Sequence, residues 1–284
     1  MKIDANTELY CLIGHPVSKS LSPFIHNTSF EENGLNAKYM VFDVKPNDLR
    51  KAIDGIKALG IKGFNVTIPH KIEIIKYLDD ISKESKLIGA VNTVKNDNGK
   101  LIGYNTDGLG FIKSLKVHDV VVKRKKVLIL GAGGAAHAIA MMLAKEGANE
   151  IIILNRTEKK AKKLIEKIKN IYPNIKGRYG GLNSREINYQ DVDIIINCTS
   201  IGMYPNSNQS PIKKNNLNKN MLVYDIVYKP RITKLLKDAE EKGCKVIGGL
   251  DMLLYQAILS EEIWFKQIFD INSIKLNMNK KEFL

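Results

Sequence analysis

Residues Lys126 to Asn155 read KVLILGAGGAAHAIAMMLAKEGANEIIILN. A continuous apolar run, Val127 to Leu130, meets Gly131-Ala132-Gly133-Gly134-Ala135-Ala136. A helical pattern follows and leads through Gly147 to a second apolar run, Ile151 to Leu154. Strand, glycine turn, helix and strand make one βαβ unit of the dinucleotide-binding kind. Gly131 permits the tight turn, Gly133 lets the backbone approach a pyrophosphate, and Ala136 takes the third small-residue place, where helix and strand pack. The helix start offers free N–H groups and a positive dipole end to phosphates. The same glycines could serve packing alone, but the strand before and the helix after favour a nucleotide site.

Outward from this unit, 284 residues leave room for two domains. A hydrophobic content of 44% with recurrent apolar runs fits a well-cored globular protein. No run approaches the ~20 apolar residues of a membrane span. The start, MKIDANTELYCLIG, lacks the order of a signal peptide, so a cytoplasmic protein is expected. Cys11, Cys198 and Cys244 are widely spaced and read as buried, reduced thiols. His15, His26, His70, His118 and His137 show no ligand spacing, so no metal is expected, and His70 reads as a partly exposed loop residue. The formal charge of +14 comes from lysines spread along the chain; only six of the 44 basic residues are arginine. No basic stripe interleaved with aromatics is present, which argues against nucleic acid as a partner. A positive surface still attracts anionic small molecules.

The first ~108 residues alternate strands and helices, which argues for a largely parallel sheet. Strands are expected at Leu9–Gly14, Lys38–Val44 and Gly63–Ile68. Helices are expected from Ser22, as N-cap with Pro23 at the first position, to about Asn33; from Asn47 or Asp48 to Leu59; and over Lys71–Leu78. Val91–Lys95 and Leu101–Tyr104 flank Asn96-Asp97-Asn98-Gly99, a hairpin signal. The section from about Gly108 to Gly248 carries the dinucleotide unit. It continues with a lysine-rich helix to about Ile171 and strands at Val192–Asn197, Met221–Ile226 and Lys245–Ile247. Asn206–Asn220 reads as an exposed polar loop, and the chain from Leu250 onward as helix.

Three constellations carry chemistry. At the second strand end, Asn155-Arg156-Thr157 lacks the acid that would bind ribose hydroxyls and offers Arg156, followed by Lys159 and Lys160. A guanidinium matches a phosphate bidentately, which points to a 2′-phosphate clamp and NADP over NAD. The competing reading, ordinary solvated charge, sits uneasily with the positive end of a helix dipole. In NVTIPHK, Asn65 to Lys71, Asn65 and Thr67 share a strand face and suit a polyhydroxylated ligand. Lys71 is a cation or general base, although by composition alone it resembles the many surface lysines. In GAVNTV and NTDG, Asn92 and Asp107 stand beside polar residues and glycines. Asp107 is either a helix N-cap or a partner for Lys71, and spacing does not choose.

Taken together, GHPVSKSLSP, NVTIPHK, GAVNTV, NTDG, GAGGAA, NRT, NCTSIGM, VYDIVY and GGLDMLLYQA occur in one order along nearly the entire chain. In this the chain resembles the shikimate dehydrogenase family. The resemblance implies an α/β fold of two domains with a cleft between them. Residues 1–107, completed by helices in 249–284, form an α/β substrate domain with a mainly parallel sheet. Residues 108–248 form a Rossmann-like NADP-binding domain. It implies NADPH-dependent, reversible reduction of 3-dehydroshikimate to shikimate in aromatic amino-acid biosynthesis, by a monomer or homodimer. Lys71 and Asp107 correspond to the family's catalytic pair, and Ser20 and Ser22, not Ser18, to its carboxylate-binding serines. Thr67, Asn92, Tyr228 and Gln256 match other substrate contacts. Gly131, Ala132, Gly133, Gly134 and Ala135, then Asn155, Arg156, Thr157 and Lys160, and Ile226 and Gly249 match cofactor positions. Leu21 departs from the family, where a basic residue is frequent between the two serines. A quinate/shikimate dehydrogenase with mixed NAD/NADP use and a non-catalytic NADP-binding regulator are the rival readings. Retention of Lys71 and Asp107 argues against the latter.

Overall fold

The computed structural model describes residues 3–182, 184 and 187–280. The chain folds as two compact units. One runs to Gly110 and takes in the chain from Leu254 on; the other spans Phe111–Leu253. Residues 281–284, part of the expected C-terminal helical segment, lie outside the described residues.

The first unit contains β1 (Glu8–Gly14), α1 (Ser22–Glu32), β2 (Ala37–Asp43), α2 (Leu49–Ala58), β3 (Gly63–Val66), β4 (Asp80–Ile81), α3 (Lys83–Ile88), β5 (Thr93–Asp97) and β6 (Lys100–Tyr104). It also holds the start of α4 (Asp107–Val117). Its sheet has the order β2-β1-β3-β5-β6-β4. β1 runs parallel to β2 and β3, and β4 parallel to β6, whereas β5 is antiparallel to β3 and β6. The β5–β6 hairpin turns through Asn98 at φ 51° and Gly99 at φ 91°. Two positive φ values in a two-residue loop are what the strands' right-handed twist requires. α2 buries Leu49, Ile53 and Ile56, one stripe at helical spacing, in a core shared with Phe64, Val66 and Val94.

The second unit contains β7 (Lys126–Leu130), α5 (Gly134–Lys145), β8 (Glu150–Leu154), α6 (Glu158–Ile171), β9 (Lys176–Gly180), β10 (Ile194–Asn197), β11 (Leu222–Asp225), α7 (Lys234–Glu240) and β12 (Lys245–Ile247). α8 (Leu250–Phe265) and α9 (Ile271–Lys280) follow, and the second change of unit falls within α8. Every strand pair is parallel, in the order β12-β11-β10-β7-β8-β9. This is the doubly wound dinucleotide-binding order, with its switch point between β7 and β10. β7, β8 and β10 are buried on both faces, which is why they read as continuous apolar runs. α6 turns Ala161, Leu164, Ile165 and Ile168 inward, so its lysines are the outer face of an amphipathic helix.

Several local expectations are corrected. Ser22 is the first helical residue and not the N-cap; Leu21 occupies the N-cap position without a side-chain capping bond, and Ser20 Oγ accepts the Ser22 N–H at 3.2 Å. Asp48 stands at the N-cap of α2 but its side chain caps nothing. Lys71–Leu78 is not an α-helix: only a 3₁₀ stretch, Glu73–Tyr77, forms after Pro69. Ile212 and Leu217 are buried, so Asn206–Asn220 is a polar loop pinned by two apolar anchors. Cys11 and Cys244 are buried, but Cys198 is only half-buried. β4, α3, β9 and α7 were not expected from the pattern. β9, KGRYG, is a polar edge strand without hydrophobic alternation; a Cβ on Gly177 would lie 2.7 Å from Ile165 Cγ2, so glycine lets α6 close over it.

Candidate active site

In the first unit, Lys71 and Asp107 meet. Lys71 Nζ donates to Asp107 Oδ2 at 2.6 Å, with side chains 15% and 6% exposed. The backbone makes this pairing. His70 N–H closes a turn on Thr67 O at 2.9 Å around Pro69, and Val91 N–H donates to Lys71 O at 2.8 Å. Lys71 is thereby held beside the start of the hairpin that carries Asn92. Asp107 is the first residue of α4, but its carboxylate caps nothing; Asn105 Oδ1 accepts the Gly108 N–H at 3.3 Å. Of the two readings of Asp107, partner to Lys71 is the one realised.

Asn92 completes the arrangement from below. Its Nδ2 donates to Asp107 Oδ1 at 3.0 Å, to Thr106 Oγ1 at 2.8 Å and to Gln256 Oε1 at 3.2 Å, and its Oδ1 accepts the Thr106 N–H at 2.7 Å. Asn65 is likewise engaged within the protein: Tyr39 OH donates to its Oδ1 at 2.7 Å, and its Nδ2 lies near Asn92 O, Thr93 Oγ1 and Ser260 Oγ at 3.0–3.1 Å. Buried amides with every bond made are rigid. Gln256 is brought in by close helix packing, since a Cβ on Gly110 would lie 2.8 Å from Gln256 N. Thr67 is half-buried at the end of β3, where Gly14 gives room for its methyl group and His15 N–H donates to Ile68 O at 2.8 Å. Ser20 is half-buried and Ser22 buried, while Ser18 is exposed. His70 is not a partly exposed residue: it is buried and its ring Nε2 lies 2.7 Å from Val44 O.

The remaining expected residues lie in the second unit, Tyr228 among them. Gly131 has φ 107°, and a Cβ there would lie 3.0 Å from Cys198 O, so glycine serves both the turn and the close approach of the β10 loop. Gly133 differs. Its φ is −91°, it is exposed, and a Cβ on it would meet no protein atom within 4 Å. No intramolecular contact demands glycine at Gly133, whereas a pyrophosphate lying on the turn would. The small residues Gly134, Ala135 and Ala136 open α5 without a side-chain cap, leaving N–H groups for phosphate oxygens. Asn155 Oδ1 accepts the Ala132 N–H at 3.2 Å and Asn155 Nδ2 donates to Thr157 O at 2.9 Å, tying the glycine turn to the β8 end. Arg156, Thr157 and Lys160 are exposed there at the uncapped start of α6. The residues present fit an NADP with its 2′-phosphate at Arg156. Ile226 is half-buried, and a Cβ on Gly249 would overlap Ile226 O.

Pattern reading missed Tyr39, Thr106, Ser260, Asn197, Asp225 and Thr233. Asn197 opens NCTSIGM, Asp225 is the third residue of VYDIVY and Thr106 the second of NTDG, all motifs quoted above; Tyr39, Ser260 and Thr233 carried no local signal. Asp225 is fully buried, and burial pushes its carboxyl up to about 6 against hydrogen bonds from Thr233, Val227 and Asn197.

Family models match both halves of the chain: "Shikimate dehydrogenase substrate binding domain" over residues 12–94 and "Shikimate / quinate 5-dehydrogenase" over residues 114–243. A curated relative, the NADP(+) shikimate dehydrogenase of Methanocaldococcus jannaschii, is 51% identical over 263 residues, covering 92% of this chain and 93% of that protein. A crystal structure of a shikimate dehydrogenase in complex with NADP+ superposes with a TM-score of 0.91 at 47% identity, covering 98% of this chain and 97% of the other. The shikimate 5-dehydrogenase of Listeria monocytogenes, solved with shikimate and NAD, superposes with a TM-score of 0.89 at 38% identity, covering 98% of each chain.

Proposed function

Because this chain belongs to the shikimate dehydrogenase family, we propose that it catalyses the reversible, NADPH-dependent reduction of 3-dehydroshikimate to shikimate, a step of aromatic amino-acid biosynthesis. The observation that carries the chemical reading is the Lys71–Asp107 pair, 2.6 Å apart, at the head of the Asn92–Gln256 network.

NADPH supplies the hydride when bound. Gly131 to Ala135 cradle its pyrophosphate, Asn155, Arg156, Thr157 and Lys160 hold the adenosine side, and Ile226 and Gly249 the nicotinamide side. Ser20 and Ser22 donate to the substrate carboxylate, and Thr67 and Gln256 bind its hydroxyls. Asn65 and Asn92, whose amides are committed internally, chiefly set the orientation of the others. As the C3 carbonyl is reduced, its oxygen gains negative charge. Lys71 Nζ stabilises that charge and delivers the proton, and Asp107 keeps the ammonium aimed. In the other direction the pair accepts the hydroxyl proton.

Among the described residues no helix is long and apolar enough to cross a membrane. The proposed setting is cytoplasmic, with the protein a monomer or homodimer. The experiment is the rise in reduced-nicotinamide absorbance with shikimate and NADP, run beside quinate and NAD. Turnover of shikimate with NADP at the highest kcat/KM of the four pairs is expected. Preference for quinate or for NAD would move the chain to the rival dehydrogenase, and no turnover with any pair would make it a binding protein.

A further inference from the structure

We propose that Asp225, acting with Asn197, is a positioning residue that sets the nicotinamide half of the cofactor site. The inference rests on the NADP reading above. In a doubly wound sheet each half holds one mononucleotide of a dinucleotide, outside the carboxyl ends of the strands. Arg156 follows β8, so the half built from β7–β9 takes the adenosine side. The nicotinamide side falls to the half built from β10–β12. There the chain offers three connections: the turn after β10, Ile226 to Tyr228 after β11, and Gly248-Gly249 between β12 and the start of α8.

One buried pair ties these loops together. Asn197 and Asp225 are the last residues of β10 and β11, in register, and both are fully buried. Asn197 Nδ2 donates to Asp225 Oδ1 at 2.9 Å and to Ile201 O at 3.0 Å. Its Oδ1 accepts from Thr199 N at 3.0 Å and Thr199 Oγ1 at 2.7 Å, which folds the turn after β10. Asp225 Oδ1 also accepts the Val227 N–H at 3.0 Å, and Oδ2 accepts the Thr233 hydroxyl at 2.7 Å. Thr233 is the N-cap of α7, so the carboxylate links the β11 loop to that helix start. The third loop follows from the second, because Gly249 lies against Ile226 O and its N–H reaches Val227 O at 3.4 Å. Neither side chain reaches the surface. Both therefore act through the loops, and three donors converging on one carboxylate hold those loops in place before any ligand arrives.

Calorimetric titration of the full chain with two ligands tests this. NADP spans both halves, whereas adenosine 2′,5′-bisphosphate carries only the adenosine side. Asp225→Ala is expected to raise the Kd for NADP about tenfold or more, because loops no longer held must be ordered on binding, and to leave the bisphosphate within about twofold. Asp225→Asn keeps the shape and most of the bonds, and is expected to return NADP binding to within about threefold of wild type. If Asp225→Ala is not recovered folded, Thr233→Val removes one of the three donors at constant shape and is expected to raise the NADP Kd about threefold with the bisphosphate unchanged. Wild-type NADP affinity in the variant, or equal loss of both ligands, overturns the assignment. A wild-type protein that binds neither ligand refutes the cofactor reading and removes this inference with it.

Discussion

Replacing Lys71 by methionine separates chemistry from stability. Methionine keeps the length of the aliphatic stem and removes the ammonium. Asp107 then stays 6% exposed with no cation beside it. Breaking a buried pair by removing one partner costs about 3–5 kcal/mol. Asn92 Nδ2 remains on Oδ1 at 3.0 Å and the lysine side admits some water, so the low end applies, about 3 kcal/mol. That corresponds to a fall in Tm of about 6–12 °C. The kinetic loss has a different origin. A positioned acid or base contributes roughly 10²–10⁴, so kcat should fall about 10³-fold while KM for shikimate stays within about threefold. The double variant Lys71→Met/Asp107→Asn removes the stranded charge. It should recover at least half of the lost stability and none of the activity. Steady-state rates and urea unfolding of the three proteins measure both quantities. A Lys71→Met enzyme with wild-type kcat and a raised KM would demote Lys71 to substrate binding. A double variant no more stable than the single one would show that the pair carries no buried charge.

Three further outcomes are expected. Arg156→Gln should raise KM for NADP about 10–100-fold and leave KM for NAD nearly unchanged, since charge-assisted bonds to a phosphate contribute about 1.5–3 kcal/mol; a parallel loss for both cofactors would count against a 2′-phosphate clamp. Gly133→Ala should leave the melting temperature within about 2 °C, because the added Cβ meets no atom beyond its chain neighbours within 4 Å, yet weaken NADP binding at least about tenfold; unchanged affinity would mean that no pyrophosphate lies there. Asp225 should make stability pH-dependent. Its carboxyl is raised from 3.8 to about 6 in the fold, so the native state holds the proton more tightly. Its contribution is full below about 3.8 and is lost as pH rises through about 6, up to about 3 kcal/mol. Asp225→Asn should therefore gain stability relative to wild type between pH 4 and pH 7 in urea unfolding, and a difference that is flat or of opposite slope would contradict the burial argument.

Much of the second unit is legible in the chain because its determinants are local. β7, β8 and β10 are apolar on both faces and Gly131 answers a positive φ; in the first unit Asn98-Gly99 answers the hairpin turn in the same local way. Arg156 is legible as well, since strand end and helix start are adjacent in sequence. Elements whose stability comes from neighbours were not legible. β9 is a polar edge strand that exists because β8 offers it an edge, and Glu73–Tyr77 is cut to a 3₁₀ turn by Pro69 and its tie to the hairpin.

The candidate site divides in the same way. Residue types and motif order alone marked Lys71, Asp107, Asn92 and the glycine turn as bearers of chemistry. Composition could not tell Lys71 from a surface lysine, and spacing could not tell whether Asp107 caps a helix. Tertiary structure decided both, by closing the chain between Lys71 and Asp107 over 36 positions and placing Gln256 on Asn92 across 164. It also decided that His70 is buried, that Asn65 and Asn92 are held rather than free, and that Asn197 and Asp225 share one hydrogen bond. The reason is physical. Backbone conformation and strand or helix periodicity are set by neighbours within a few residues, whereas the partner of a buried polar group is whatever the packed core brings within about 3 Å.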